Sequence, residues 1–361
     1  MSLSDLFWSH SYEIIALVVT CLVTGGISFL FYPAYKVYHH EQIQHTTSTL
    51  SPQQSKKNVT IDKEPDVLLS LVIPAYNEED RLTVMLDECY EYFSQDRCQG
   101  LENLQKACIQ FSDNKTRVAP HTVEWIVVND GSTDQTCQIF ESYAAKKTTP
   151  VNNKHKQPSS FLFKLVTLPV NEGKGAAVQV GMTEATGQYR LMVDADGATT
   201  FGAGLEAVTK ELLQNCSNQT PQTPPVIIFG SRSGDGAQRS ALRSFLMHSF
   251  LWLRSVVVGT PVSLRDTQCG FKLFDKSSAI QLFSNLHLRR WAFDIELVYV
   301  ALSSGFTIKE VIVPWHEVDG SKLNTGFTAL VLVAISMLRD MMCVRACYVL
   351  GIWRINQQVP Q

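Results

Sequence analysis

The chain has 361 residues, 45% of them hydrophobic, enough for one large domain or two small ones. A formal net charge of −3 leaves no overall basic field for nucleic acid. Nine cysteines, an odd number with no CxxC, fit neither a disulfide framework nor a zinc site; they point to reduced thiols in a cytosol-facing domain.

Residues 14–32 form an uncharged run of nineteen, long enough to cross a bilayer, which takes roughly 20 apolar residues. Asp5 and Glu13 precede it, whereas Lys36, His39, His40, Lys56 and Lys57 follow. A signal peptide would open on a basic segment, so residues 1–40 read as a single-pass anchor, with a cleaved signal sequence as the alternative. The positive-inside rule then puts the rest of the chain in the cytosol. Sequons at Asn58, Asn114, Asn215 and Asn218 test this orientation, since glycosylation would need them luminal. Residues 41–66, rich in Thr, Ser, Gln and Lys, read as a linker.

From residue 67 strands and helices alternate. Val67–Ile73 reads as a buried strand broken by Pro74, and the apolar spacing of Leu82, Met85, Leu86, Cys89 and Phe93 predicts a helix. Residues 94–121 look like a polar surface insertion. A second strand, Val123–Val128, runs into Asn129-Asp130-Gly131-Ser132-Thr133-Asp134, and a helix to about Ala145 follows. After a loop at 146–160 comes a third strand, Phe161–Leu168, then a helix opened by Asn171-Glu172-Gly173-Lys174-Gly175. The fourth strand, Leu191–Val193, ends on Asp194-Ala195-Asp196-Gly197; residues 203–214 read as helix, 215–225 as another insertion, and Val226–Phe229 as a fifth strand before Gly230-Ser231-Arg232. This alternation predicts an α/β fold with a mostly parallel sheet and helices on both faces.

In open α/β sheets ligands bind at the carboxyl ends of the strands, and four of these strands end in polar chemistry. Asp194 and Asp196 can be a clamp for a hard divalent cation on a nucleotide diphosphate, or merely turn aspartates capping a helix. Successive polar strand ends on one sheet edge favour the clamp.

The segments VIPAYNE (72–78), VNDGSTD (128–134), NEGKGAA (171–177) and VDADG (193–197) resemble glycosyltransferase family 2 and its GT-A fold. GSRS (230–233), RDTQCGFKLF (265–274), RRWAFDIEL (289–297) and VPWHEVDGSK (313–322) look like its sugar-phospholipid branch, the eukaryotic dolichyl-phosphate β-glucosyltransferases. The resemblance covers roughly residues 66–325, giving a GT-A domain at 67–325 and a membrane-associated helical segment at 326–361. It implies UDP-glucose as donor, dolichyl phosphate as acceptor, and inverting transfer at the cytosolic face of the endoplasmic reticulum membrane.

Carried onto matching positions, the resemblance implies that Pro74, Ala75, Tyr76, Asn77 and Glu78 line the base and ribose pocket. Asp130 would bond the uracil or ribose, and Gly131 would let the backbone approach. Asp194 and Asp196, with Ala195 between them, would hold Mg²⁺ or Mn²⁺ against the diphosphate, and Lys174 would add a cation or simply be solvated. Arg232, with Arg239 and Arg243 behind it, would grip the acceptor phosphate. Asp266 and Gln268 would sit near the donor sugar, and Asp294 and Glu296 would brace the site. His287 stands where processive members carry the glutamine of QxxRW, which speaks against a polysaccharide synthase. His316-Glu317 lacks the second histidine of HExxH, because Gly320 and Ser321 stand there.

Residues 243–262, apolar with isolated cations, read equally as an interfacial helix or a buried one. Residues 326–353 open on a 13-residue uncharged run, too short to span, which predicts an interfacial or re-entrant helix. Two other activities compete: dolichyl-phosphate mannose synthesis from GDP-mannose, and sugar nucleotidyl transfer, whose glycine-rich loop PAYNE lacks.

Overall fold

The structure, a computed structural model, describes residues 23–36, 45–50, 66–111, 122–148, 160–216, 226–232, 255, 259, 264–318 and 327–356. Residues 14–22 of the expected span, Arg239, Arg243, and residues 243–262 apart from 255 and 259 lie outside these.

Eight strands among the described residues make one sheet: β1 (Thr46–Thr49), β2 (Val67–Ala75), β3 (Thr122–Asp130), β4 (Ser160–Leu168), β5 (Tyr189–Val193), β6 (Val226–Ser231), β7 (Phe271–Asp275) and β8 (Thr307–Ile312). Their order is β1-β4-β3-β2-β5-β7-β6-β8. The pairs β2–β3, β3–β4, β2–β5 and β6–β8 are parallel. β1 runs antiparallel to β4, and β7 runs antiparallel to both β5 and β6. The sheet is thus mostly parallel, as expected, with β7 reversed inside it. Because β7 separates β5 from β6, those two strands still point the same way, and the ends of β2, β3, β5 and β6 share one edge. The chain leaves β2 toward β3 and β4 and then returns to its other side with β5. The switch point therefore lies between the ends of β2 and β5, where a ligand crevice opens.

Helices cover both faces, since strands such as VLLSLVI are apolar on both sides. One face carries α2 (Leu82–Phe93), α3 (Gln99–Phe111), α4 (Thr136–Thr148) and α6 (Phe201–Cys216) around Leu86, Leu104, Trp125, Phe140 and Leu205. The other carries α5 (Lys174–Glu184), α7 (Lys276–Phe283), α8 (Phe293–Ser303) and α9 (Phe327–Val349) around Val178, Ala279, Phe293 and Met341.

Two readings are corrected. The supposed insertion at 94–121 contains α3, whose Leu101, Leu104 and Ala107 are buried, and whose Asn103 donates to Thr209 of α6 at 3.2 Å. The supposed linker contains β1, an exposed edge strand.

Residues 23–36 form the first helix, α1, with Phe31 and Ala34 against the second core and Val23, Ile27, Phe29 and Tyr32 exposed. The Arg339 guanidinium lies 5.4 Å from the Phe29 ring and 5.6 Å from the Tyr32 ring, joining this helix to α9. Among the described residues no helix is long and apolar enough to cross a membrane. On α9, Leu332, Ile335, Met342 and Val349 are exposed while Met341, Val344 and Cys347 pack inward.

Candidate active site at the carboxyl edge of the sheet

After β2, Asn77 takes φ +52, a left-handed conformation that Asn tolerates better than most residues. The turn is sewn to the one after β3. Asn77 N donates to Ser132 Oγ at 2.9 Å, Thr133 N to Asn77 Oδ1 at 2.8 Å, and Glu78 N to Thr136 Oγ1 at 2.8 Å. The Glu78 carboxylate pairs with Arg81 at 2.6 Å. Asn77 and Glu78 therefore tie the β2 turn, with Pro74, Ala75 and Tyr76, to the β3 turn.

After β3, Asp130 accepts from Glu172 N at 2.7 Å and Gly173 N at 2.9 Å, one bond to each oxygen. Burial pushes its carboxyl up to about 6, against the pull of those two N–H groups. At Gly131, φ +66, a Cβ would lie 2.6 Å from the backbone of Val170 and Asn171. The close approach expected there is that of the β4–α5 loop, so Asp130 and Gly131 together fix the loop that delivers Lys174.

Lys174 opens α5, and its Nζ lies 2.6 Å from Asp194 Oδ1. Burial pulls its ammonium down, but Asp194 and Asp294 more than offset this and hold it above the usual lysine value. Asp194 is packed closely: its N donates to Gly270 O at 3.1 Å, and a Cβ on Gly270 would fall 1.9 Å from Asp194 Oδ2. Asp196 accepts from Ala198 N at 3.0 Å. Neither aspartate caps α6; Glu88 of α2 does, accepting from Phe201 N at 2.8 Å. Buried Ala195 joins the first core cluster.

After β6, Arg232 makes a two-pronged pair with Asp266, Nε–Oδ2 2.7 Å and Nη2–Oδ1 2.9 Å, and its backbone N adds a third bond at 3.1 Å. Burial would raise the Asp266 carboxyl, yet Arg232 holds it below the usual carboxylate range, so it is a fixed anion and a poor base. Asp266 also accepts from Gln268 N at 3.1 Å, while Glu310 accepts from Asp266 N at 2.7 Å.

Two tryptophans flank the site. Trp291, 42% exposed, has the Lys174 ammonium 5.8 Å from its ring, and Trp315, 39% exposed, has the Arg232 guanidinium 5.9 Å away. The Trp315 strand is laid along the aspartate loop: Trp315 pairs with Thr199, Thr200 N donates to Pro314 O at 3.0 Å, and His316 N to Ala198 O at 2.9 Å.

Beneath the edge, Lys272 and Asp294 form a buried pair at 2.8 Å. Arg289 pairs with Glu172 at 3.0 Å, and Ala176 N donates to Arg289 O at 2.9 Å. Fully buried Glu296 accepts from His287 N at 2.9 Å, Leu288 N at 2.6 Å and Tyr348 Oη at 3.0 Å. The Trp353 ring stacks on His287, centroids 4.3 Å apart, and Asn285 exchanges two hydrogen bonds with Asn356. The bracing expected of Asp294 and Glu296 is what they do.

Sequence reasoning passed over Lys272, Gly270, Glu310 and Trp315. Lys272 carried a usable signal: a lysine inside the apolar run FKLF must find a buried carboxylate. The others depend on contacts distant in sequence.

The edge thus presents two carboxylates at the switch point, an ammonium on one of them and a guanidinium at the end of β6, one strand removed from β5. That array suits a polyphosphate with a divalent cation. The glycosyl transferase family 2 model matches residues 70–278. The chain is 34% identical to a dolichyl-phosphate β-glucosyltransferase of Drosophila melanogaster over 96% of this chain and 97% of that protein. A Mus musculus protein of the same name is 36% identical over 95% of each, and a Homo sapiens one 38% identical over 81% of this chain and 79% of its own length. A looser likeness, TM-score 0.47 at 14% identity over 78% of this chain and 80% of the other, is to a glucosyl-3-phosphoglycerate synthase from Mycobacterium tuberculosis in complex with uridine diphosphate, and says nothing about what this chain binds.

Proposed function

Because the chain belongs to glycosyltransferase family 2, among the dolichyl-phosphate β-glucosyltransferases, we propose that it transfers glucose from UDP-glucose to dolichyl phosphate. The transfer proceeds with inversion, giving dolichyl β-D-glucosyl phosphate and UDP, as a glucose donor for lipid-linked oligosaccharide assembly in N-glycosylation. The observation that carries the reading is Asp194 and Asp196 at the β2–β5 switch point, with Arg232 on the next strand end of the same edge.

The two aspartates would hold Mg²⁺ or Mn²⁺ against the diphosphate. Lys174 at 2.6 Å marks a position beside Asp194 that suits positive charge. When bound, the metal neutralises charge that grows on the leaving UDP. The protein's own groups do the rest. Asp130 and Gly131 hold the loop that presents Lys174 beside the diphosphate. The dolichyl phosphate has a second pKa of about 6, so its oxygen is already anionic at neutral pH and needs no strong base. That agrees with Asp266, whose carboxylate is locked on Arg232 and takes no proton. Arg232, oriented by Asp266, turns its remaining N–H toward the acceptor phosphate.

The exposed apolar residues of helix 23–36 and of α9 support a seat on the membrane that holds the polyprenol. Orientation toward the cytosol, at the endoplasmic reticulum, is part of the proposal and rests on the basic residues after position 35; glycans on the native sequons would overturn it.

The deciding assay incubates membranes containing the protein with dolichyl phosphate and radiolabelled UDP-glucose or GDP-mannose. Label should pass into lipid from UDP-glucose. Transfer from GDP-mannose alone would overturn the proposal, as would pyrophosphate release from a nucleoside triphosphate.

A further inference from the structure

Lys174 sits on Asp194, one of the two aspartates that would hold a divalent cation, and the other carboxylates acting on it are Asp294 and Asp196. The Nζ sits 2.6 Å from Oδ1, and the side chain is largely buried, at 17% exposure. Asp294 is the next carboxylate to act on it, but Asp294 already carries Lys272 at 2.8 Å, with that pair sealed inside the domain. Gly270 lies so close to the Asp194 carboxylate that a Cβ there would fall 1.9 Å from Oδ2.

The geometry points to Lys174 as a gate that makes divalent-cation binding conditional on the nucleotide diphosphate. This rests on the function proposed above and adds an order of events to it. Three carboxylates (Asp194, Asp196, Asp294) face two ammoniums (Lys174, Lys272), leaving one net negative charge; Arg232 and Asp266 cancel each other. A divalent cation held by Asp194 and Asp196 without its nucleotide would turn that balance to one net positive and leave the largely buried Lys174 ammonium only Asp294, which Lys272 already holds. Stranding a buried ammonium without a partner is expensive. A diphosphate restores the original balance and supplies oxygens to receive the displaced Nζ. Metal and diphosphate therefore bind with positive coupling, and Lys174 is the group through which each favours the other. It is a positioning residue acting through Asp194.

The test uses the full-length protein in detergent and measures Mn²⁺ binding from the electron paramagnetic resonance of the free ion, with and without UDP. In the unsubstituted protein, UDP should tighten Mn²⁺ binding by about tenfold or more. In K174M, Mn²⁺ should bind alone about tenfold more tightly than in the unsubstituted protein, and the UDP effect should shrink toward none. A merely structural role cannot tighten metal binding on truncation. K174Q, which keeps a polar end, should behave the same way and serves if K174M does not fold. D194N should abolish Mn²⁺ binding in every background. Equal UDP coupling in K174M and the unsubstituted protein would overturn the gate and leave the proposed function standing. Mn²⁺ binding to the unsubstituted protein that UDP leaves unaltered would likewise overturn the gate, whereas the function itself falls only to the donor-transfer assay.

Discussion

The two halves of the edge, the proposed donor side and the proposed acceptor side, are held by different physics. On the donor side, the turns after β2 and β3 and the loop before α5 are joined by short bonds from backbone N–H groups to Ser132, Asn77, Thr136 and Asp130. On the acceptor side, charges hold charges: Arg232 on Asp266, with Glu310 fixing the Asp266 loop. Backbone-anchored turns give a rigid, shaped wall suited to a base and ribose. An ion pair leaves a guanidinium charged and oriented, with N–H groups to spare for an anion. Lys174 stands where the two halves meet.

Both halves fail most completely at the carboxylate they share. D194N should lower kcat by about 10³-fold, because charge stabilisation of the leaving group is lost, and it should also lower the melting temperature, because the Lys174 ammonium loses its partner. Unchanged transfer would show that Asp194 holds no metal. G270A comes next: the new Cβ must push the Asp194 carboxylate aside, and a misplacement of about 1 Å costs about 10²-fold in rate. Steady-state assays over a Mn²⁺ titration should show the loss at saturating metal as well as below it.

R232K should separate the halves. Losing the fork on Asp266 costs about 2 kcal/mol, or about thirtyfold, in kcat/KM for dolichyl phosphate, while UDP affinity by calorimetry stays the same. An equal loss in UDP affinity would place Arg232 on the donor side instead.

The smallest effect is in pH. Asp130 titrates at about 6 in the folded chain, above its ordinary 3.8. The folded state therefore binds the proton more readily than the unfolded one. Burying the charged carboxylate costs stability above pH 6, and that cost disappears as pH falls toward 3.8. Function runs the other way, because the protonated acid no longer accepts from both Glu172 N and Gly173 N. UDP affinity should drop about twofold at pH 6 relative to pH 8, and D130N should remove that step from the profile.

The strand ends were legible because each joins an apolar run to a polar turn within a few residues, a local pattern. PAYNE, NDGSTD and DADG could be placed on one edge from that pattern alone, and the structure puts them there. What escaped was non-local. α3 hides its buried Leu101, Leu104 and Ala107 in a segment whose mean composition is polar. β1 reads TTST and gains strand geometry only from its partner β4. The reversal of β7 leaves no mark in sequence, yet it brings Gly270 against Asp194. Arg232 looked like a bare cation, since nothing in its neighbours announces a partner 34 positions on.

Glu296 ties together parts of the chain that composition would assign to different jobs. Its oxygens hold the backbone of His287 and Leu288, and the same carboxylate receives Tyr348 from the end of α9. Two residues beyond His287, Arg289 holds Glu172 of the β4–α5 loop and Ala176 in the first turn of α5. The helix with the greasy outer surface and the helix opened by Lys174 are thus joined by one run of hydrogen bonds and ion pairs, through Tyr348, Glu296 and the 287–289 backbone.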